Sequence, residues 1–132
     1  MAITECFAGI AVADFGSMLA WYERLFGTPP DFCPQDGEAV WRVTARAWVY
    51  VVATRHEGAA GRAGKALLTL LVDDLDDRVA QLAARGLPVG PIDVIAGSVR
   101  RVVLADPEGN RITFAQPPVL SIADENGSAH VP

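Results

Sequence analysis

Few side chains in this chain are of the types that carry out chemistry. Histidine occurs only at His56 and His130, and cysteine occurs only at Cys6 and Cys33. Both histidines lie in segments without periodicity, so neither is placed as a general base or a metal ligand. The cysteine spacing fits neither a zinc motif nor a disulfide framework, and we interpret both residues as reduced thiols. The sequence shows no Ser/His/Asp set, no pair of catalytic carboxylates and no phosphate-binding glycine loop.

Three arginines are the polar candidates for meeting an anionic group of a ligand: Arg100, Arg101 and Arg111. Arg111 is the best placed, because it lies two residues before Thr113 and therefore shares its face in an extended strand. The alternative for each of them is a surface ion pair with a neighbouring carboxylate.

The first half of the chain has the pattern of one strand, one helix and three strands. Residues 3–13 are small and apolar, which favours a strand, and Asp14 is a helix-capping residue. Apolar residues then recur at spacings of three and four until Gly27, which predicts an amphipathic helix that ends there. Three short strands are predicted to follow at residues 32–35, 38–44 and 47–54.

The same pattern occurs again after a glycine-rich linker at residues 55–65, which holds little that can pack. Residues 66–73 form an apolar run, Asp74 is again a capping residue, and Gly86 follows the predicted helix. Strands are predicted at residues 89–95, 99–105 and 111–116. Asp14 therefore matches Asp74 at an offset of 60 (74 − 14), which indicates an internal duplication.

The overall composition indicates a globular chain without a nucleic-acid or membrane partner. Hydrophobic residues make up 51% of the 132 residues, which provides enough apolar material for a core. The net charge of −5 disfavours binding to phosphate backbones and anionic lipid. The N-terminal segment lacks the basic region of a secretory signal, so we expect a cytoplasmic protein.

Two motifs give this sequence a family resemblance. The run AVADFGSMLAWYERLFG resembles the strand-to-helix signature of the vicinal oxygen chelate superfamily, and LADPEGNRITF resembles its DPDGN hairpin. The resemblance implies an α+β fold with two βαβββ modules in tandem, whose curved mixed sheets form a half-barrel cavity. It places the modules at residues 3–54 and 66–116 in a single domain, 3–116, followed by a C-terminal tail at 117–132.

Enzymes of this superfamily hold a divalent metal on the first and last strand of each module. Carried over from the two motifs, the resemblance puts the ligand positions at Phe7, Tyr50, Leu67 and Thr113. Phe and Leu cannot ligate a metal, Tyr does so only as a phenolate, and Thr is a poor ligand. We therefore predict that the protein uses neither a metal nor another cofactor.

Apolar and aromatic residues at and around these positions are the predicted ligand-binding surface. Alternatively, these side chains fill the space that the metal site takes up in enzymes of the superfamily. The full set of candidates is Phe7, Gly9, Trp41, Trp48, Tyr50, Leu67, Thr69, Arg111 and Thr113.

The resulting functional prediction is a metal-independent protein that binds a hydrophobic or aromatic small molecule, similar to bleomycin-resistance-type members of the superfamily. One alternative is a glyoxalase- or dioxygenase-like enzyme whose site residues the two motifs do not locate. Another is a non-catalytic interaction module with a closed cavity. We also expect a homodimer, because short curved sheets expose strand edges. Its predicted aromatic anchors are Trp21, Trp41 and Trp48.

Overall fold

The computed structural model describes residues 2–118 and contains two four-stranded sheets, each with its own helix. Module 1 comprises β1 (Cys6–Val12), α1 (Phe15–Phe26), β2 (Phe32–Gln35), β3 (Glu38–Thr44) and β4 (Ala47–Ala53). Module 2 comprises β5 (Leu67–Leu71), α2 (Leu75–Ala84), β6 (Asp93–Ile95), β7 (Val99–Ala105) and β8 (Arg111–Gln116). The predicted tandem of βαβββ modules is confirmed. Most of the predicted tail, including His130, lies outside the described residues.

The two sheets have the same topology and the same register. Sheet 1 has the order β1-β4-β3-β2 and sheet 2 has the order β5-β8-β7-β6, so that the first strand of each module runs parallel to its last. Gly9 lies opposite Tyr50 in sheet 1, and Thr69 lies opposite Thr113 in sheet 2. Gly9 and Thr69 are separated by the offset of the duplication. Their partners, Tyr50 and Thr113, therefore occupy equivalent positions in the two modules.

Both helices begin as the capping pattern predicts. The Asp14 carboxylate accepts a hydrogen bond from the Ser17 backbone N–H at 3.2 Å, and Asp74 accepts one from the Asp77 N–H at 3.0 Å. Helix α1 ends at Gly27, whose φ of 78° lies in the left-handed region that favours glycine. No helix within residues 2–118 has both the length and the apolarity that crossing a membrane requires.

The turn between β7 and β8 joins the two modules through buried polar groups. Asp106 accepts a hydrogen bond from the Tyr22 hydroxyl of α1 at 2.7 Å. The side chain of Asn110 donates to the Ala11 carbonyl at 3.2 Å and accepts from the Ala66 N–H at 2.9 Å. Both Asp106 and Asn110 are buried, so these bonds replace water that the groups would otherwise bind. The DPEGN motif thus holds the two modules together and also forms the hairpin turn.

Module 2 also supplies charges to both ends of α1. The Glu108 carboxylate accepts hydrogen bonds from the backbone N–H groups of residues 13–14, at 2.6 and 2.8 Å. At the other end, the Arg85 guanidinium donates to the carbonyl groups of residues 24–25, at 2.6 and 3.2 Å. A negative charge at the helix N-terminus and a positive charge at its C-terminus both complement the helix dipole. The helix of module 1 is therefore fixed by side chains of module 2.

Two segments differ from their sequence-based prediction. The strand predicted at residues 89–95 is reduced to β6, because Pro91 has no N–H to donate to the sheet. The linker at 55–65 holds few packed residues, as expected, but it is more regular than a glycine-rich loop would suggest. It folds into successive turns with hydrogen bonds between residues three apart, and its Ala59 is only 5% exposed.

The buried Tyr22 makes the protein lose stability as the pH rises into the alkaline range. Burial, followed by the hydrogen bond to Asp106, raises the pKa of the Tyr22 phenol well above its usual range. The folded protein therefore retains this proton at pH values where the unfolded chain releases it, near an ordinary tyrosine pKa of about 10. The contribution of Tyr22 to stability is complete below that pH and is lost as the pH rises beyond it.

We therefore expect the free energy of unfolding to fall more steeply above about pH 10 in the wild type than in a Tyr22→Phe variant, because phenylalanine cannot ionise. At pH 7 the variant should be less stable by about 1 to 2 kcal/mol, since Asp106 loses one buried hydrogen bond. Urea denaturation followed by circular dichroism across this pH range measures both effects. Parallel pH profiles for the two proteins would contradict the assignment.

Candidate functional site

The candidate site lies on the face of sheet 1 that is turned away from α1. Residues paired across neighbouring strands share a face, and those two positions along a strand also share it. We call this surface the open face of sheet 1. It carries three residues from each of the strands β1, β4 and β3: Phe7, Gly9, Ala11, Trp48, Tyr50, Val52, Glu38, Val40 and Arg42.

One half of the open face is an aromatic strip formed by Phe7, Phe32 and Trp48. The rings of Phe7 and Trp48 are stacked with centroids 5.6 Å apart, and Phe32 meets Trp48 edge-on at 6.0 Å. The Arg42 guanidinium carbon lies 5.3 Å from the centre of the Trp48 ring. The Trp48 Nε1–H is buried and has no hydrogen-bond partner among the described residues. A buried donor without a partner is costly, and an acceptor from outside the chain can reach this group only if the indole ring moves.

The other half of the open face is the floor of a cleft of about 610 Å³, which the linker borders. We call it the linker cleft. Its floor includes Gly9, Ala11, Tyr50 and Val52. The far end of the Tyr50 side chain lies against Gly9, since a Cβ placed on Gly9 would come within 2.6 Å of the Tyr50 hydroxyl oxygen. The absence of a side chain at position 9 therefore sets the depth of the cleft.

Polar side chains of the β2–β3 turn region line one end of the cleft. Glu38 accepts a hydrogen bond from the Gln35 amide at 3.1 Å. His56 lies 2.7 Å from the Asp36 carbonyl oxygen through its Nε2 atom. Because a carbonyl only accepts, Nε2 carries a proton there, and the Nδ1 of a neutral ring stays free to accept. The sequence pattern around His56 contains no signal for its place in the cleft.

Basic side chains of the linker line the same cleft further along the chain. The Arg62 Nε donates to the Gly58 carbonyl at 2.8 Å, which anchors the side chain and leaves its terminal nitrogens free. Lys65 and Glu57 also line the cleft. No periodic pattern marks these residues in the sequence, because their positions follow from the path of the linker over the sheet.

Four of the predicted site residues lie together on the open face, and Trp41 does not. Phe7, Gly9, Trp48 and Tyr50 share this face as predicted. The prediction for Trp41 is wrong, because its side chain is only 1% exposed, packs on the α1 side and donates through Nε1 to the Thr28 carbonyl at 3.0 Å. The cause is an irregularity between residues 42 and 44 that shifts the β3–β4 register by one and turns Trp41 to the other face.

The remaining candidates lie on the corresponding face of sheet 2. Leu67 and Thr69 pair with Arg111 and Thr113, which places all four side chains on one face. Leu67 is 78% exposed and Thr113 is buried, and none of the four lines the linker cleft. They form a second surface, on sheet 2, that is separate from the linker cleft.

The other two candidate arginines lie in surface ion pairs. Arg100 pairs with Asp76 at 2.9 Å, and Arg101 pairs with Asp93 at 3.3 Å. Hydrogen bonding to Arg100 lowers the pKa of the Asp76 carboxyl. These arginines are engaged by neighbours, as the alternative interpretation held.

The side chains at the superfamily's metal positions do not fit a divalent metal. Phe7 and Leu67 carry no donor atom, and Thr113 offers only a hydroxyl. Residues 2–118 contain no group of three or more His, Cys, Asp or Glu side chains arranged to hold a metal ion. The registered positions thus provide a hydrophobic and aromatic surface rather than a set of ligands.

Comparison with known proteins decides the family. The profile of the family described as a glyoxalase-like domain matches residues 7–115. The chain belongs to this glyoxalase-like family of the vicinal oxygen chelate superfamily. The resemblance inferred from the two motifs is therefore confirmed. No curated protein matches the chain.

Solved structures of glyoxalase-like proteins agree with this assignment. A glyoxalase/bleomycin resistance protein from Catenulispora acidiphila DSM 44928 is 38% identical, with a TM-score of 0.78, over 88% of this chain and 100% of that chain. An antibiotic-binding protein from Streptomyces sp. CB03234 is 25% identical, with a TM-score of 0.69, over 89% of this chain and 98% of that chain. A bleomycin-binding protein in complex with bleomycin is 21% identical over 88% of this chain and 98% of that chain, and its TM-score of 0.64 shows a shared fold. The superfamily thus includes proteins that bind small molecules.

Proposed function

We propose that this glyoxalase-like protein binds a small aromatic molecule without a metal ion, on the open face of sheet 1. The observation that carries the proposal is the combination of the aromatic strip with the linker cleft beside it. Stacked rings offer a flat apolar surface, and the buried Trp48 Nε1–H offers a donor that lacks a partner. The antibiotic-binding relative supports a function of this class.

Binding is a better account of this face than metal-dependent catalysis. A glyoxalase- or dioxygenase-type reaction requires ligands that leave open positions on a metal, and Phe7 and Leu67 stand at two of the four positions. A non-catalytic interaction module with a closed cavity is disfavoured as well, because the linker cleft is open and has about 610 Å³ of space. The apolar floor and the polar rim instead resemble an ordinary small-molecule pocket.

We expect the indole N–H signal of Trp48 to shift when 2-naphthylmethanol is added to isotope-labelled protein. The naphthalene ring should stack against the aromatic strip, and its ring current should shift the nearby Nε1–H signal. The signal of Trp41 should remain in place, because that N–H is bonded to Thr28. A Trp48→Ala variant should bind about tenfold more weakly, consistent with losing about 1 to 1.5 kcal/mol of aromatic contact.

Val94→Ala provides the matched control, since Val94 is an exposed apolar residue on β6 of the other sheet. It should bind the probe as the wild type does. A Trp48 signal that stays unchanged at saturating probe, or equal affinity for the Trp48→Ala variant, would reject the open face as the binding surface.

We further propose a homodimer in which the apolar surfaces of both sheets face a second copy, with the ligand pocket between the two chains. Phe7, Leu67 and Leu71 are all more than half exposed, which is unusual for large apolar side chains that lie on sheet faces. The predicted anchors Trp21 and Trp41 are buried within the chain, so this part of the prediction is wrong and Trp48 alone remains available.

Light scattering at micromolar concentration is expected to give about twice the chain mass of 14.0 kDa. If the partner completes the pocket, dilution should also weaken probe binding. A mass near that of one chain would remove both the dimer and the shared pocket.

A further inference from the structure

A second cavity, of about 240 Å³, lies beside strand β7 of sheet 2. We call it the edge cavity. It is lined by Trp21 of α1, by residues 86–90 after α2 and by residues 103–105 of β7. Strand β6 pairs with β7 only at residues 99–101, so the described residues place no strand against this side of β7 where the cavity lies.

The internal duplication identifies the counterparts of the loop residues in module 1. Gly27 and Gly86 follow the two helices, and both have a positive φ, of 78° and 83°. Residues 86–90 of the cavity wall therefore correspond to residues 27–31 of module 1.

The pairing of the strands identifies the counterparts of the β7 residues. Trp41 lies opposite Val49 in sheet 1, and Leu104 lies opposite Ile112 in sheet 2. Both members of the second pair follow those of the first by 63 residues (104 − 41 and 112 − 49), which is also the offset from Tyr50 to Thr113. Module 2 thus has the smaller Leu104 at the position where module 1 has the indole of Trp41.

In module 1, three hydrogen bonds hold the loop after α1 against β3. The Trp41 Nε1–H donates to the Thr28 carbonyl at 3.0 Å. The Asp31 N–H donates to the Val40 carbonyl at 2.8 Å, and the Asp31 carboxylate accepts from the Arg42 N–H at 2.7 Å. The indole ring therefore spans the gap between the strand and the loop.

None of these three bonds has a counterpart in module 2 among residues 2–118. Leu104 has no ring N–H, and the Leu87 carbonyl, which corresponds to the Thr28 carbonyl, accepts no hydrogen bond from the described residues. Gly90 stands where module 1 has Asp31, and a Cβ on this glycine would meet no described atom within 4 Å beyond its chain neighbours. The edge cavity is thus the place that an indole occupies in module 1.

We infer that the edge cavity binds an indole-type ligand, which is a flat bicyclic ring that carries a ring N–H. The ligand ring takes the place that the Trp41 ring has in module 1, and its N–H donates to the Leu87 carbonyl. Trp21 supplies an aromatic wall, and Leu104 supplies an apolar contact. The edge cavity shares no lining residue with the linker cleft, so this site is distinct from the one on the open face of sheet 1.

The signals of the three tryptophan N–H groups distinguish the two sites in one titration. Indole added to isotope-labelled protein should shift the Trp21 signal until it saturates, because this ring lines the edge cavity. Trp48 reports on the open face in the same spectra, and Trp41, which is bonded to Thr28, is the reference. Benzofuran has the same bicyclic shape without an N–H, so it should bind the edge cavity about fivefold more weakly for want of one hydrogen bond.

Leu104→Trp should weaken indole binding in the edge cavity by at least about tenfold, because the new side chain takes the same space. Val94→Trp is the matched control, since Val94 is exposed on β6 and does not line the cavity. It should bind indole as the wild type does. Nuclear Overhauser contacts between indole and the methyl groups of Leu87 and Leu104 in the wild type provide a readout that does not depend on the folding of a variant.

The inference is overturned if the Trp21 signal does not move at saturating indole, or if the Leu87 and Leu104 methyl groups make no contact with the probe. It is overturned as well if a folded Leu104→Trp variant binds indole like the wild type. Equal affinities for indole and benzofuran would remove the assigned ligand class. A shift of the Trp48 signal alone would exclude the edge cavity as a site and leave the proposed function standing.

Discussion

Replacing Asn110 by alanine is expected to lower the free energy of unfolding by about 3 to 5 kcal/mol, which is a large part of the usual stability of a domain. The Asn110 side chain is fully buried and bonds to groups from three parts of the chain. Its amide nitrogen donates to Ala11 and Asp106, and its oxygen accepts from Ala66. The variant leaves the Ala11 carbonyl and the Ala66 N–H without this partner and takes one donor away from Asp106, so each loss adds its own cost.

Gln81→Ala serves as the comparison, because it removes an amide of the same chemistry from an exposed position where it bonds only to Asp77. Its effect should be below about 0.5 kcal/mol. Urea denaturation monitored by circular dichroism measures both. If Asn110→Ala costs less than about 1 kcal/mol, the turn does not join the modules as described.

Replacing Gly9 by alanine is expected to weaken binding of 2-naphthylmethanol by at least about tenfold with little change in stability. The new methyl group takes the space under the Tyr50 ring and forces the ring outward into the linker cleft. Only the far end of a side chain has to move, and the backbone at Gly9 has no positive φ, so the fold should tolerate the change. The variant therefore loses the binding surface at the bottom of the cleft, while the sheet stays folded.

Gly16→Ala is the matched control, since the same methyl group at that helix position meets only the Asp14 carboxylate, at 3.9 Å. That variant should bind the probe with unchanged affinity. Equal affinities for the wild type and Gly9→Ala would show that the probe does not use the floor of the cleft.

The sequence predicted the elements well because their signals are local. Asp14 and Asp74 cap their helices through their own side chains, and Gly27 ends α1 in the conformation that glycine allows. The apolar stripe of α1 faces the core, where Met18, Tyr22 and other members of the stripe are buried. None of these features depends on residues distant in the chain, so each is readable from a short window.

The faces of the strands were harder to predict, and Trp41 shows why. A regular hairpin with Thr44 opposite Ala47 would place Trp41 opposite Tyr50 and so on the open face. The irregularity after Arg42 instead puts Trp41 opposite Val49. One inserted residue reverses the face of every earlier residue on the strand, and no local sequence signal marks it.

The linker cleft could not be predicted from local sequence signals either. The linker is fixed by contacts with a turn more than forty residues later, where the Glu108 carbonyl packs against Gly64. Glycines permit this close approach, but they would equally permit an extended loop. The placing of His56, Arg62 and Lys65 around one cleft is therefore a consequence of tertiary packing.

The most direct test of metal-free ligand binding is a calorimetric titration of 2-naphthylmethanol into protein that has been treated with EDTA and dialysed. We predict saturable binding at one site per chain, with an affinity that does not change when Zn²⁺, Ni²⁺, Fe²⁺ or Mn²⁺ is added back. The reason is that Phe7 and Leu67 leave two of the superfamily's four metal positions without a donor atom. Binding that appears only after one of these metals is restored, or no binding under either condition, would contradict the account.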